Sequence, residues 1–411
     1  MINFNIFNQV ISKDCWDEIL TIDIDITERY KNWDPKLRLV KNAAKELLFF
    51  DSQIPTCKEQ VEFLFVKSLD RADYDILFNT ISDSCKQSKI TVDIKPVRSK
   101  RIRLSGLMYL LKLFLPIYFH KNIKHRPFLE RAFLLLRAAK INEIVQRISK
   151  LNYRHLVVFA DMQPIDHGLV QLAKRRGIPS TTMQHGLYVD YENQRNINEV
   201  NYLLHNADNF LAWGDNTKEL IKKHRPKANI TICGKPVQLV PRKPEEKIIG
   251  VILDQNLYFE KNLEMLDIVY RFAAKSHFRV SPRLHPNNKK WRYKKFLDDP
   301  LTISSDIMSA QLAVGHTSTF IYELMSLGIP ILRYATDAPA LKTSRKLEFT
   351  NSISFSTTFD EISKSQFDFI SEGKNYLSTM HNVSLQNYTD FFRDLSNNPE
   401  RNHHSEKLRK K

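Results

Sequence analysis

Three short segments carry side chains that could grip a phosphate or move a proton. In AVGHTSTFIYELMSLG (313–328) a buried strand runs into Gly315, a polar turn follows, and a helix begins near Ser318 and Thr319. A helix N-terminus offers unpaired N–H groups and the positive end of its dipole, which suits a phosphate. The hydroxyls of Thr317, Ser318 and Thr319 could cap that helix or donate to the phosphate. Glu323, with Tyr322 beside it, lies one turn further and could reach a ribose or sugar hydroxyl. In SPRLHPNN (281–288) a strand ends at Leu284 and delivers His285, with Pro286 as the stop. His285 could hydrogen-bond a phosphate oxygen or protonate a leaving group. In TTMQHGLYVDYE (181–192) another strand end presents Gln184, His185 and Gly186. A hydroxyl that attacks a substrate needs a positioned base, and His185, Asp190, Glu192 and the strand-end Asp161 are all of the right type. The sequence leaves the choice among them open. Each of these residues also fits a capping or loop role when read alone; it is the pairing of His285 with the 315–319 turn, one strand apart, that makes a phosphate clamp.

The elements that must position these side chains alternate. VEFLFVK (61–67), ITVDIKP (90–96), RHLVVFAD (154–161), IPSTTMQHG (178–186), ADNFLAWG (207–214) and ANITICG (228–234) read as strands. Helical patterns fall between them at 70–88, 128–151, 167–177 and 216–225, and Gly177 stands where a helix C-cap belongs. Residues 235–247 hold Pro236, Pro241 and Pro244 and no apolar period, which predicts an interdomain linker. The pattern then restarts, with strands at 247–256, 277–285, 303–316 and 329–334 and helices at 263–276 and 317–328. Strands separated by helices predict parallel sheets with crossover connections. The expectation is an α/β protein of two Rossmann-like domains: 1–236, a linker at 237–246, 247–395, and a basic tail at 396–411. Residues 1–60 show helical spacing near 27–50 but no motif, and none appears beyond 340.

The chain has 62 Lys and Arg against 46 Asp and Glu, a net charge of +16. With 42% hydrophobic and 26% charged residues it is globular in composition. The charge is concentrated. One group is Arg98, Lys100, Arg101 and Arg103, then the apolar run 104–119, then Lys121, Lys124, His125 and Arg126. Others are 289–295 and the tail 401–411. An apolar run too short and too interrupted to span a bilayer, with cations on both sides, has the composition of an element at a membrane surface. No nucleic-acid-binding signature accompanies the charge, so an anionic membrane and an anionic substrate are the expected partners. Four scattered cysteines (Cys15, Cys57, Cys85, Cys233) predict neither a disulfide framework nor a metal cluster and fit a reducing cytoplasm. The N-terminal segment lacks signal-peptide character.

Taken together, QHGLY (184–188), AWG (212–214), ICGKP (232–236), RLHP (283–286) and GHTSTFIYELMSLGIPIL (315–332) resemble bacterial GT-B glycosyltransferases of surface-polysaccharide assembly. The His-Pro pair followed by Ser/Thr is similar to that of sialyl-, polysialyl- and Kdo transferases and of teichoic-acid-type polyol-phosphate transferases. The resemblance implies a GT-B fold and a nucleotide-activated sugar donor bound by the second domain. By that match His285, Ser318 and Thr319 would hold the donor phosphate; Pro286, Gly315, Thr317 and Glu323, read from the local pattern, complete the expected donor site. The expected acceptor is a glycan or lipid-linked glycan in the first domain, with the base among His185, Asp161 and Glu192. The protein would work at the inner face of the cytoplasmic membrane. No DxD motif stands at a strand end and no GDxxD motif is present, so the expected reaction needs no metal and no cofactor beyond the donor. Other readings are a CDP-polyol phosphotransferase, a sugar-nucleotide 2-epimerase and a non-catalytic scaffold of a capsule assembly complex.

Overall fold

A computed structural model describes residues 19–20, 36–49, 54, 59–69, 71–94, 104–188, 200–236, 239, 247–286, 288–336, 347–365 and 367–397. Two parallel sheets organise it. The first has six strands in the order β2-β1-β3-β4-β5-β6: β1 (Val61–Lys67), β2 (Lys89–Asp93), β3 (Tyr153–Val158), β4 (Ser180–Met183), β5 (Asn209–Ala212) and β6 (Asn229–Ile232). The second has five in the order β11-β10-β9-β7-β8: β7 (Ile248–Ile252), β8 (Arg279–Arg283), β9 (Leu312–Gly315), β10 (Ile331–Tyr334) and β11 (Glu348–Phe349). Every described strand pair is parallel. The fold class expected from the alternation is the one observed.

Central strands are apolar along their whole length because helices cover both faces; β7, IIGVI, is buried at each of its five positions. Pro282 lies inside β8, where it pairs with Val251, and this is tolerated because β8 is the sheet's edge. In both sheets the strand order reverses once, between β1 and β3 and between β7 and β9. Such a reversal opens a crevice at the carboxyl ends of the strands, where α/β folds bind ligands.

The second unit does not keep the C-terminal segment, which the sequence pattern assigned to it. Residues 376–397 cross back to the first sheet. Lys235 N–H donates to the Thr379 carbonyl at 2.9 Å, and Ser378 N–H to that of Trp213 at 2.9 Å. The last helix, His381–Asn397, sets Phe392 edge-on to Phe63 and Phe65, with ring centroids 5.5 and 5.3 Å apart. A Cβ on Gly234, whose φ is +80°, would sit 2.3 Å from the Thr379 carbonyl oxygen, so the crossing demands glycine there. One apolar cluster therefore runs through both halves, from Phe63 and Phe78 to Tyr322, Leu324 and Tyr388.

Candidate functional site

The carboxyl end of β7 is the hub of the second half. Asp254, two residues beyond the strand, is buried, and its Oδ2 accepts from Thr317 N–H at 2.6 Å. His316 Nδ1 stands 3.4 Å from the same oxygen, and its Nε2 meets the Thr336 hydroxyl. The Asp254 carbonyl accepts from the side-chain amides of Asn262 at 3.0 Å and Asn288 at 2.9 Å. One residue thus ties the loop after β8, which carries His285 and Pro286, to the turn after β9. That turn and that loop are the two predicted parts of the phosphate clamp.

The residues of the turn divide their tasks. Thr317 spends its N–H on Asp254, and Phe320 N–H donates to Ser318 Oγ at 3.4 Å. Thr319 occupies the N-cap without a side-chain cap bond. The helix that follows, Phe320–Ser326, has 7 residues. Gly315 serves packing rather than ligand approach: a Cβ there would lie 2.4 Å from Ile321 Cγ2. Glu323 is 8% exposed and ion-pairs with Lys235, which also lies over the Trp213 ring at 4.9 Å. Its carboxylate therefore joins the two halves instead of standing open for a ribose. His285 is half-buried at the loop tip, beside exposed Pro286.

In the first half, β4 delivers His185 as the pattern predicts. Gln184 pins the spot: its Nε2 donates to the Gly186 carbonyl at 2.8 Å and Thr217 Oγ1 at 3.0 Å, and its Oε1 accepts from Trp213 N–H at 2.7 Å. The His185 ring lies among Tyr74, Phe159 and Tyr188, with centroids 5.5, 5.9 and 5.8 Å away, and Nδ1 is 3.4 Å from the Tyr188 hydroxyl. Burial, then the charge of Arg71, pushes its pKa down to about 4, so the imidazole is neutral near pH 7. Gly186 beside it faces open space: a Cβ there would touch nothing within 4 Å.

Asp161 has a different job. It is wholly buried, and its Oδ2 accepts from His205 Nδ1 at 2.9 Å and from the N–H groups of Asn206 at 2.5 Å and Ala207 at 2.7 Å. Burial alone would raise its pKa, but these donors outweigh it and hold the carboxylate ionised. A carboxylate so engaged anchors the 205–207 loop and is not poised to take a proton. Asp190 and Glu192 lie outside the described residues, as do the basic residues 98–103 and 401–411.

Sequence reasoning missed Arg71. It grips Asp73 through two nitrogens at 3.0 and 2.6 Å, and Nη1 donates to the Tyr74 hydroxyl at 2.9 Å. Its charge acts on His185 in the first half and on His285 in the second; after burial it is the next largest influence lowering the pKa of each. Nothing in the sequence distinguishes Arg71 from a solvated residue at a helix start. Asp254 was detectable, because it stands just past a buried strand as Asp161 does.

No family model and no curated protein matches the sequence. Solved structures do. A protein assigned as a UDP-N-acetylglucosamine 2-epimerase of Listeria monocytogenes superposes with a TM-score of 0.51 at 10% identity, covering 80% of this chain and 94% of its own. The UDP-GlcNAc 2-epimerase of Methanocaldococcus jannaschii in complex with UDP-GlcNAc and UDP gives 0.49 at 12% identity, covering 82% and 99%. The wall teichoic acid polymerase TagF gives 0.44 at 11% identity, covering 95% and 99%. At this identity the likeness is one of fold, the GT-B pairing of two Rossmann-like units.

Proposed function

We propose that the protein is a glycosyltransferase of GT-B type that moves a sugar from a nucleotide-activated donor to a growing surface glycan. The acceptor in this reading is lipid-linked and held at the inner face of the cytoplasmic membrane. The observation that carries the reading is buried Asp254 at the carboxyl end of β7, which ties the loop after β8, where His285 stands, to the Thr317 turn after β9.

The donor diphosphate would lie against His285 and the 317–319 turn, where developing negative charge on the leaving nucleotide is stabilised. Neutral His185 would take the proton of the acceptor hydroxyl as its oxygen bonds the anomeric carbon. The bond from that carbon to the diphosphate breaks, and the nucleotide leaves with the electron pair. The aromatic wall of Tyr74, Phe159 and Tyr188 would keep competing water from His185. The reaction as drawn needs no metal or other cofactor.

The test is nucleotide binding and release. UMP-, CMP- and GMP-containing nucleotides are screened by thermal shift, and the matching sugar donors and CDP-glycerol are then supplied with acceptor. Release of nucleotide from a sugar donor is expected, with His285→Ala lowering turnover roughly a hundredfold. Release from CDP-glycerol alone would replace glycosyl with polyol-phosphate transfer; near-wild-type turnover in His285→Ala would remove the clamp.

A further inference from the structure

The helix Leu104–Tyr118 is strongly apolar, with Lys112 its one charged residue, but only one side of it is covered. Gly106, Leu113 and Ile117 face inward onto the helices Lys36–Phe49 and Phe128–Ile148. The approach is close: a Cβ on Gly106 would lie 2.6 Å from the Leu47 carbonyl oxygen. The opposite side leaves Leu104, Leu107, Met108, Leu111 and Leu115 exposed, at 73%, 42%, 54%, 69% and 46%. Their spacing of three and four residues makes a continuous outward stripe. Phe119 and Phe128, 59% and 65% exposed, extend it past the helix end. Lys112, Lys121, Lys124 and His125 are exposed along its border. Large apolar side chains scatter singly over an ordinary surface; a contiguous stripe with a cationic border marks a docking face.

We propose that this stripe seats in the interfacial layer of an anionic phospholipid bilayer, leucines inserted and lysines against the headgroups. Charge selects the bilayer over a second copy of the chain. A two-fold interface would set the lysine border against its own mate, like against like, whereas anionic headgroups complement it. No described helix is long and apolar enough to cross a membrane, so contact is in the plane of the surface. The inference stands apart from the donor chemistry, since no residue of the stripe touches the candidate site.

Co-sedimentation of the full chain with vesicles tests it. Binding to phosphatidylcholine–phosphatidylglycerol vesicles at low salt, little binding to phosphatidylcholine alone, and release at high salt are expected. Leu111→Asp with Leu115→Asp should cut binding roughly tenfold or more while leaving the melting temperature and nucleotide binding unchanged. Lys121→Glu with Lys124→Glu should weaken binding at low salt only. His285→Ala should sediment like the wild type, which separates docking from catalysis. A chain that stays in the supernatant with anionic vesicles overturns the proposal. So does a chain that ignores vesicles but forms a concentration-dependent dimer abolished by Leu111→Asp.

Discussion

His185 is an unusual general-base candidate because its surroundings disfavour the proton it would accept. Burial and the Arg71 charge lower its pKa to about 4, so it stays neutral far below the pH at which an exposed histidine protonates. The sign follows directly. A base must be unprotonated, so activity should be present above about pH 4 and fall as pH drops through that value. We expect kcat to hold from pH 7 to about 5 and to show its acid limb near 4. His185→Gln should remove the limb and lower kcat by roughly 10²–10⁴. A limb near 6.5 in the wild type would transfer the role to an exposed group. Asp161 shows the converse: a carboxylate of the right type at the right strand end, consumed by three N–H donors. Residue type and strand position were legible in the sequence for both. What separated them was the 205–207 loop, more than forty residues downstream, and local patterns carry no information about such a partner.

The elements behaved much as their periodicity predicted. The strands β1 to β10 fall where the apolar runs lie, and Gly177 and Gly328 close their helices with φ of +66° and +80°. The function of Gly315 was not legible, because its neighbour Ile321 is brought over it only by the turn's tertiary course. Gly315→Ala should cost about 1–3 kcal/mol by overpacking the strand end against that side chain. Paired with Ile321→Ala, the loss should be smaller than the sum of the two single changes; strict additivity in urea melts would refute the steric account. The helix Leu104–Tyr118 teaches a similar lesson. Its composition announced an apolar element with basic flanks, but which side is covered depends on Leu47 and the helix Phe128–Ile148, and only the fold shows it.

Across the whole molecule, the ion pair of Lys235 and Glu323 locks one half to the other where both groups are almost out of water, 12% and 8% exposed. Removing one member strands a buried charge, so Lys235→Met should destabilise by about 3–5 kcal/mol. Replacing both, Lys235→Met with Glu323→Leu, should recover most of that loss; equal damage in single and double variants would show that the pair contributes little through its charge. This coupling between positions 88 residues apart lay beyond any motif. It overrode the sequence expectation that Glu323 faces a sugar.

The return of the C-terminal segment to the first sheet also sets a timetable for biosynthesis. The first sheet's strands are all made by Ile232, yet Phe63 and Phe65 wait for Phe392 to cover them. At about 5–20 residues per second, the ribosome leaves that aromatic face open for roughly ten to thirty seconds. During that interval the nascent first half is a natural client for a chaperone, and a ribosome stalled before residue 392 would release a chain that is sticky rather than merely shortened.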